Sequence, residues 1–229
     1  AAAPVFHIGH CRGQCSEDDA GRDLGHLVWS RAMIAPMRTR IVADTLIPGR
    51  GEPIADGTVI TEFGEIAYVG PTAEAPPTAE GETLHEVDTV MPGLWDCHAH
   101  FVGLPMTNLE AMASADVVVA AARAVDDAKE CLNAGVTSVR EVGGLGIRLN
   151  QAIAEGRVPG PTIYGAGRIL STTGGHGDIH SLPLDFVHGI ACNHTFSILC
   201  DGVPEVMKAV RTNLRMNARL IKILSLIHI

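Results

Sequence analysis

The chain has 229 residues, 46% hydrophobic and 19% charged, enough for one sizeable domain or a small domain joined to part of a larger one. That balance supports a packed core and excludes global disorder. A formal net charge of −9 without a concentrated Lys/Arg stripe argues against nucleic acid or an anionic membrane as partner. No segment approaches the roughly 18 uninterrupted apolar residues of a membrane span.

The first 36 residues mix Gly, Asp, Arg and His, lack a continuous apolar region and hold no lasting period. They read as a disordered or non-native extension, with Met37 as the natural start. Six cysteines show no framework spacing, which predicts free thiols and a reducing, cytoplasmic setting. Cys11-Arg-Gly-Gln-Cys15 has half the spacing of a zinc site but no second half nearby.

From Met37 to Asp88 the chain reads as a small β-module. Thr39 to Asp44 alternates, Pro48 to Gly51 makes a turn, Gly57 to Glu62 is rich in β-branched residues, and Gly64 punctuates before Glu65 to Gly70. Residues 71 to 82, rich in Pro, Ala and Glu, read as a surface loop. Residues 89 to 223 then alternate strands and helices. Val90 to Trp95 is a short apolar strand, Leu109 to Asn133 an Ala-rich helix stopped by Gly135, and Val136 to Val142 the next strand. Leu145 to Glu155 is a helix closed by Gly156, and Pro161 to Gly167 a third strand. Residues 168 to 202 read as a long polar, glycine-rich excursion, followed by a helix from Val203 to Asn217 and a fourth strand from Arg219 to Ile223. Strands and helices alternating with short connections imply right-handed βαβ units on a parallel sheet. No GxGxxG follows the first strand, so a dinucleotide fold has no positive support. The expected fold class is α/β: about the first four strands of a (β/α)8 TIM-type barrel, preceded by a small β-sandwich module.

Leu224 to Ile229 reads differently. One codon choice for these residues, CTG TCT CTT ATA CAC ATC, is a transposase mosaic end used in library preparation, so an adapter-derived tail is expected.

In a (β/α)8 barrel, chemistry sits where strands end in loops at the C-terminal face. His98 and His100 stand two apart at such an end, and residues i and i+2 of an extended chain project to one side. Two convergent imidazoles suit a borderline divalent metal such as Zn²⁺. Asp96 is placed to orient those histidines. Lys222 lies in an apolar strand, where a cation is costly unless it reaches a polar mouth or is neutralised. His176 and Asp178 lie in the excursion, within reach of the mouth, while His180, His188 and His194 of the same stretch are background.

The run Val90-Met-Pro-Gly-Leu-Trp-Asp-Cys-His-Ala-His-Phe101 resembles the first-strand signature of the amidohydrolase superfamily, and Gly64 to Gly70 is similar to its N-terminal sandwich. Gly135 to Gly144, Thr173-Gly-Gly-His-Gly-Asp178 and Cys200-Asp-Gly-Val203, with Ile221-Lys-Ile223, resemble the imidazolonepropionase-like and Xaa-Pro dipeptidase-like branch. The resemblance covers residues 39 to 223. It implies that Lys222 matches a lysine carboxylated by CO₂ to bridge two metals, giving two divalent ions, zinc by expectation, per intact subunit. It also implies a substrate-pocket role for His176 and Asp178. Glu141 replaces the more usual aspartate after Val-Arg and is given no role.

The implied activity is hydrolysis of an amide or other carbon–nitrogen bond in a small-molecule or dipeptide-like substrate, by a homo-oligomer when full length. A catalytic base is expected on an eighth strand beyond this chain, so none is assignable and the 229 residues alone are expected to be inactive. Alternative readings are a mononuclear deaminase of the same superfamily, which would not need Lys222, and an inactive truncated barrel serving as a binding or scaffold protein.

Overall fold

The computed structural model describes residues 38–104, 111, 115–194 and 196–224. The expectations for residues 1 to 36, for the start of the Leu109 helix and for most of the 224–229 tail lie outside the described residues. The chain divides into two compact units, Ala1–Pro92 and Gly93–Ile229.

In the first unit, β1 (Arg38–Leu46), β2 (Ile54–Glu62), β3 (Glu65–Pro71) and β4 (Thr83–Val90) form one mixed sheet in the order β3-β2-β1-β4. The expected sandwich is, among the described residues, this single sheet. β1 pairs antiparallel with β2 and parallel with β4, so the chain must cross from β3 to the far edge through residues 72–82. That crossover is braced by charge: Glu82 meets Arg40 and the Nε of Arg38 at 2.9 Å, and Arg40 also donates to the Pro76 carbonyl at 2.7 Å. Burial alone would raise the Glu82 carboxyl, but the Ala79 amide and the two guanidiniums outweigh it and hold it below the usual carboxylate range. Ile41, Ala43, Leu46, Val59 and Val90 form the core.

The run Val90 to Trp95, expected as one strand, is divided. Val90 closes β4, Pro92 supplies no amide for a ladder, and β5 begins at Leu94. Gly93 sits where a Cβ would lie 2.0 Å from the Thr137 hydroxyl, so only glycine lets this turn pass.

In the second unit, β5 (Leu94–Ala99), β6 (Val136–Glu141) and β7 (Thr162–Gly165) form a parallel sheet with β6 in the centre. α1 (Val117–Asn133) covers it. Asp116 caps the helix by accepting from the Val118 and Val119 amides at 2.8 and 3.2 Å. Its buried stripe is Ala120, Ala124 and Ala128, one small residue per turn, packed with Phe101, Val139, Leu145 and Ile163. α2 (Gly146–Ala154) connects β6 to β7.

The excursion expected over residues 168 to 202 is more ordered than its composition indicates. It contains β8 (Ile169–Ser171), α3 (Leu184–His194) and β9 (Ser197–Leu199), before α4 (Gly202–Arg215) and β10 (Ile223–Leu224). β8 lies between β10 and β9, parallel to both. Between β7 and β8 the backbone of Arg168 leaves the ladder, and the Asn213 side chain takes the place of a strand. Its Oδ1 accepts from the Arg168 amide at 3.1 Å, and its Nδ2 donates to the Arg168 carbonyl at 2.7 Å. The segment leading into β10 runs beside both strands, since the Arg219 amide donates to Gly165 and the Leu170 amide to Lys222, each at 2.9 Å. The sheets are open, and no closed barrel forms among the described residues.

Candidate metal centre at the end of β5

The pairing of β5 with β6 is irregular just where the histidines lie. Asp96 faces Val139 and Ala99 faces Glu141, so three steps on one strand match two on the other. This is the two-against-one count of a β-bulge. The Cys97 carbonyl at the bulge accepts from Arg140 Nε at 2.6 Å. Asp96 Oδ1 accepts from the His98 amide at 2.8 Å, so this carboxylate fixes His98 through the main chain.

Beyond the bulge, His98 and His100 come together as expected from their spacing, with ring centroids 5.3 Å apart and edges inclined. Phe196 flanks His100 at 5.9 Å. His100 Nδ1 lies 2.8 Å from the Gly143 carbonyl, which can only accept. The ring therefore carries its proton on Nδ1 and leaves Nε2 with a free lone pair. Burial lowers the His100 pKa although part of the ring reaches solvent; the Gly143 bond opposes this, and the charges of His98 and Lys222 reinforce it.

A neutral imidazole is the form that binds metal, so the pair fits as half of a divalent site. Lys222 is half-buried and close enough for its charge to act on His100. It immediately precedes β10, and its carbonyl accepts from the Leu170 amide at 2.9 Å. No group of three or more His, Cys, Asp and Glu residues is placed to hold a metal among the described residues.

His176 and Asp178 are not joined to the histidine pair by any described contact. His176 is exposed, and Asp178 Oδ2 accepts from the Gly174 amide at 2.9 Å, closing its own loop. That loop is anchored below, where the Gly177 amide donates to Ser171 Oγ at 3.0 Å and its carbonyl accepts from Ser197 Oγ at 2.8 Å. A separate cavity of about 710 Å³ lies between α2 and the end of α4, lined by Arg148, Arg215 and Arg219, and excludes both histidines.

The residue that sequence reasoning passed over is Glu141. It is fully buried at the end of β6, and its carboxylate accepts from the amides of Phe101 at 3.3 Å, Gly146 at 2.7 Å and Ile147 at 2.8 Å. Burial pushes its pKa up to about 7, against the pull of those three amides.

The amidohydrolase family pattern matches residues 89–225, which takes in both sheets of the second unit, the histidine pair and Lys222. The chain belongs to the amidohydrolase family. It is similar to ochratoxinase of Aspergillus niger, with 35% identity over 205 residues, covering 82% of this chain and 42% of the relative. The crystal structure of A. niger ochratoxinase superposes with a TM-score of 0.75 at 34% identity, over 82% of this chain and 46% of that one. A prolidase crystallised with N-methylphosphonate-L-proline gives a TM-score of 0.69 at 30% identity, over the same shares of 82% and 46%. Imidazolonepropionase of Xanthomonas oryzae is 32% identical over 132 residues, 46% of this chain and 33% of the relative. The chain thus spans less than half the length of each of these amidohydrolase relatives. No described helix is long and apolar enough to cross a membrane.

Proposed function

We propose that this chain contributes the first four strands of a (β/α)8 barrel to a metal-dependent hydrolase that cleaves an amide or related carbon–nitrogen bond in a peptide-like or cyclic amide substrate. The observation that carries this reading is the His98–His100 pair, with its rings 5.3 Å apart and the His100 Nδ1 proton fixed by a main-chain carbonyl. Family membership and the likeness to a prolidase and an ochratoxinase support the substrate class.

His98 and His100 would hold a divalent metal, zinc by the softness of their nitrogens, and Lys222 would join them once carboxylated, making two ions per subunit. A metal bound there polarises a carbonyl oxygen and acidifies water toward neutrality. The chain's own residues prepare that site. Asp96 sets the His98 backbone, Gly143 sets the His100 tautomer, and carboxylation converts the Lys222 cation into an anionic oxygen donor. His176 and Asp178, on their anchored loop, would border the substrate. Two imidazoles and one lysine leave the ligand set short and supply no base, so turnover is expected from the longer protein and not from these 229 residues alone.

The test is hydrolysis of Xaa-Pro dipeptides and N-acyl amino acids by the full-length protein, before and after chelation. Turnover lost with the metal and restored by zinc is expected. Undiminished turnover after chelation, and in the H98A/H100A double variant, would overturn the reading.

A further inference from the structure

The link between Glu141 and the histidine pair runs through the loop that follows β6. That loop returns against the end of β5 and is clamped on both sides of its central carbonyl. The Val142 amide donates to the Ala99 carbonyl at 3.0 Å, and the Leu145 amide donates to the Phe101 carbonyl at 2.8 Å. Between these two bonds, the Gly143 carbonyl meets His100 Nδ1 at 2.8 Å. Glu141 stands beneath this clamp. Its Oε1 takes the Phe101 and Gly146 amides and its Oε2 takes the Ile147 amide, so one buried side chain ties the residue after His100 to the first turn of α2.

The surroundings are shaped for that carboxylate. A Cβ at Gly144 would lie 2.5 Å from Glu141 Oε1, and one at Gly146 would lie 2.6 Å from it. Gly143 and Gly144 also adopt φ of 133° and 146°, which L side chains rarely accept. Gly144 and Gly146 thus leave room for the carboxylate, and Gly143 and Gly144 supply the backbone turn beside it.

We infer that Glu141 is a positioning residue for the metal site, holding the Gly143 carbonyl in place so that His100 presents Nε2 as an unprotonated ligand. The inference rests on the metal-binding reading above. Partners that orient a metal-binding imidazole typically change metal affinity 10–100-fold when lost, and Glu141 acts one step further out.

The experiment uses full-length protein, metal-free and labelled with ¹⁵N-histidine, with the His100 signal assigned through H100N. The wild type is expected to show a single Nδ1–H tautomer. In E141Q an amide NH₂ must face one of three N–H donors, so mixed tautomers and a zinc affinity weaker by about tenfold are expected. A209G, which weakens α4 instead, controls for general destabilisation and is expected to leave the tautomer unchanged. If E141Q fails to fold, E141D carries the test. One methylene shorter, it cannot reach Phe101, Gly146 and Ile147 together, and the same two changes are expected in smaller degree. A wild-type tautomer and affinity in the folded variant would overturn the inference. Failure of wild-type protein to bind zinc at all would sink the metal reading instead, and the tautomer comparison would still decide the role of Glu141.

Discussion

His100 donates from Nδ1 to the Gly143 carbonyl at 2.8 Å, and this bond decides which of its nitrogens faces outward. The same ring has its pKa lowered by burial, with His98 and Lys222 adding to the effect. A base whose folded pKa lies below its unfolded value favours the folded state above that value. This contribution is lost as pH falls through the ordinary histidine pKa of 6.5 toward the folded one. An NMR titration of the His100 C2 proton in metal-free protein should therefore give a midpoint below 6.5. A midpoint at or above 6.5 would contradict the lowered His100 pKa.

Glu141 has the opposite sign. Its pKa rises from 4.5 to about 7, so its protonated form is favoured in the fold. The stability this gives is complete below pH 4.5 and is lost as pH rises toward 7, by roughly 3 kcal/mol at most. Urea unfolding at a series of pH values should show this downward slope between those limits in the wild type and its absence in E141Q.

Asp116 caps α1 through two amides. Asp116→Ala should cost about 1 kcal/mol, read as a shift in denaturation midpoint without a change in slope.

Gly103 approaches α1 so closely that a Cβ would lie 1.9 Å from the Ala120 carbonyl, at a φ of 61°. Gly103→Ala should displace the segment after the histidines from the helix and lower stability by about 2 kcal/mol or more, measurable by thermal unfolding.

The long periodic elements were legible in the sequence because their patterns are local. The alternation of Thr39 to Asp44 in β1, the β-branched run in β2, the Ala-rich composition of α1 and the two-residue spacing of the histidines are each local signals. β8, β9 and β10 were not, or were misplaced, because strands of two or three residues exist only through their pairing with one another. α3 was hidden for a related reason: its apolar and polar residues show little one-sided helical periodicity. Among the described residues the first unit is one sheet, and the parallel return of β4 beside β1 is a pairing that no local pattern encodes. Glu141 was given no role because it replaces the aspartate more usual after Val-Arg. The signal that could have found it was the neighbouring Gly144 and Gly146, two positions cleared of side chains around one acidic residue.

The proposed ligand role of Lys222 distinguishes the two-metal reading from a mononuclear deaminase. In the full-length protein Lys222→Ala should reduce bound metal from two ions to one per subunit. A wild-type stoichiometry of one, unchanged in the variant, would favour the mononuclear alternative.

The most direct test of the account is the metal content of purified full-length protein by inductively coupled plasma mass spectrometry, compared with the H98A/H100A variant at matched folding. Zinc or a similar divalent ion in the wild type, and a loss of at least one equivalent in the variant, is predicted. Equal metal content in the two, or none in a wild type that still hydrolyses its substrate, would contradict the assignment of the β5 histidines as ligands.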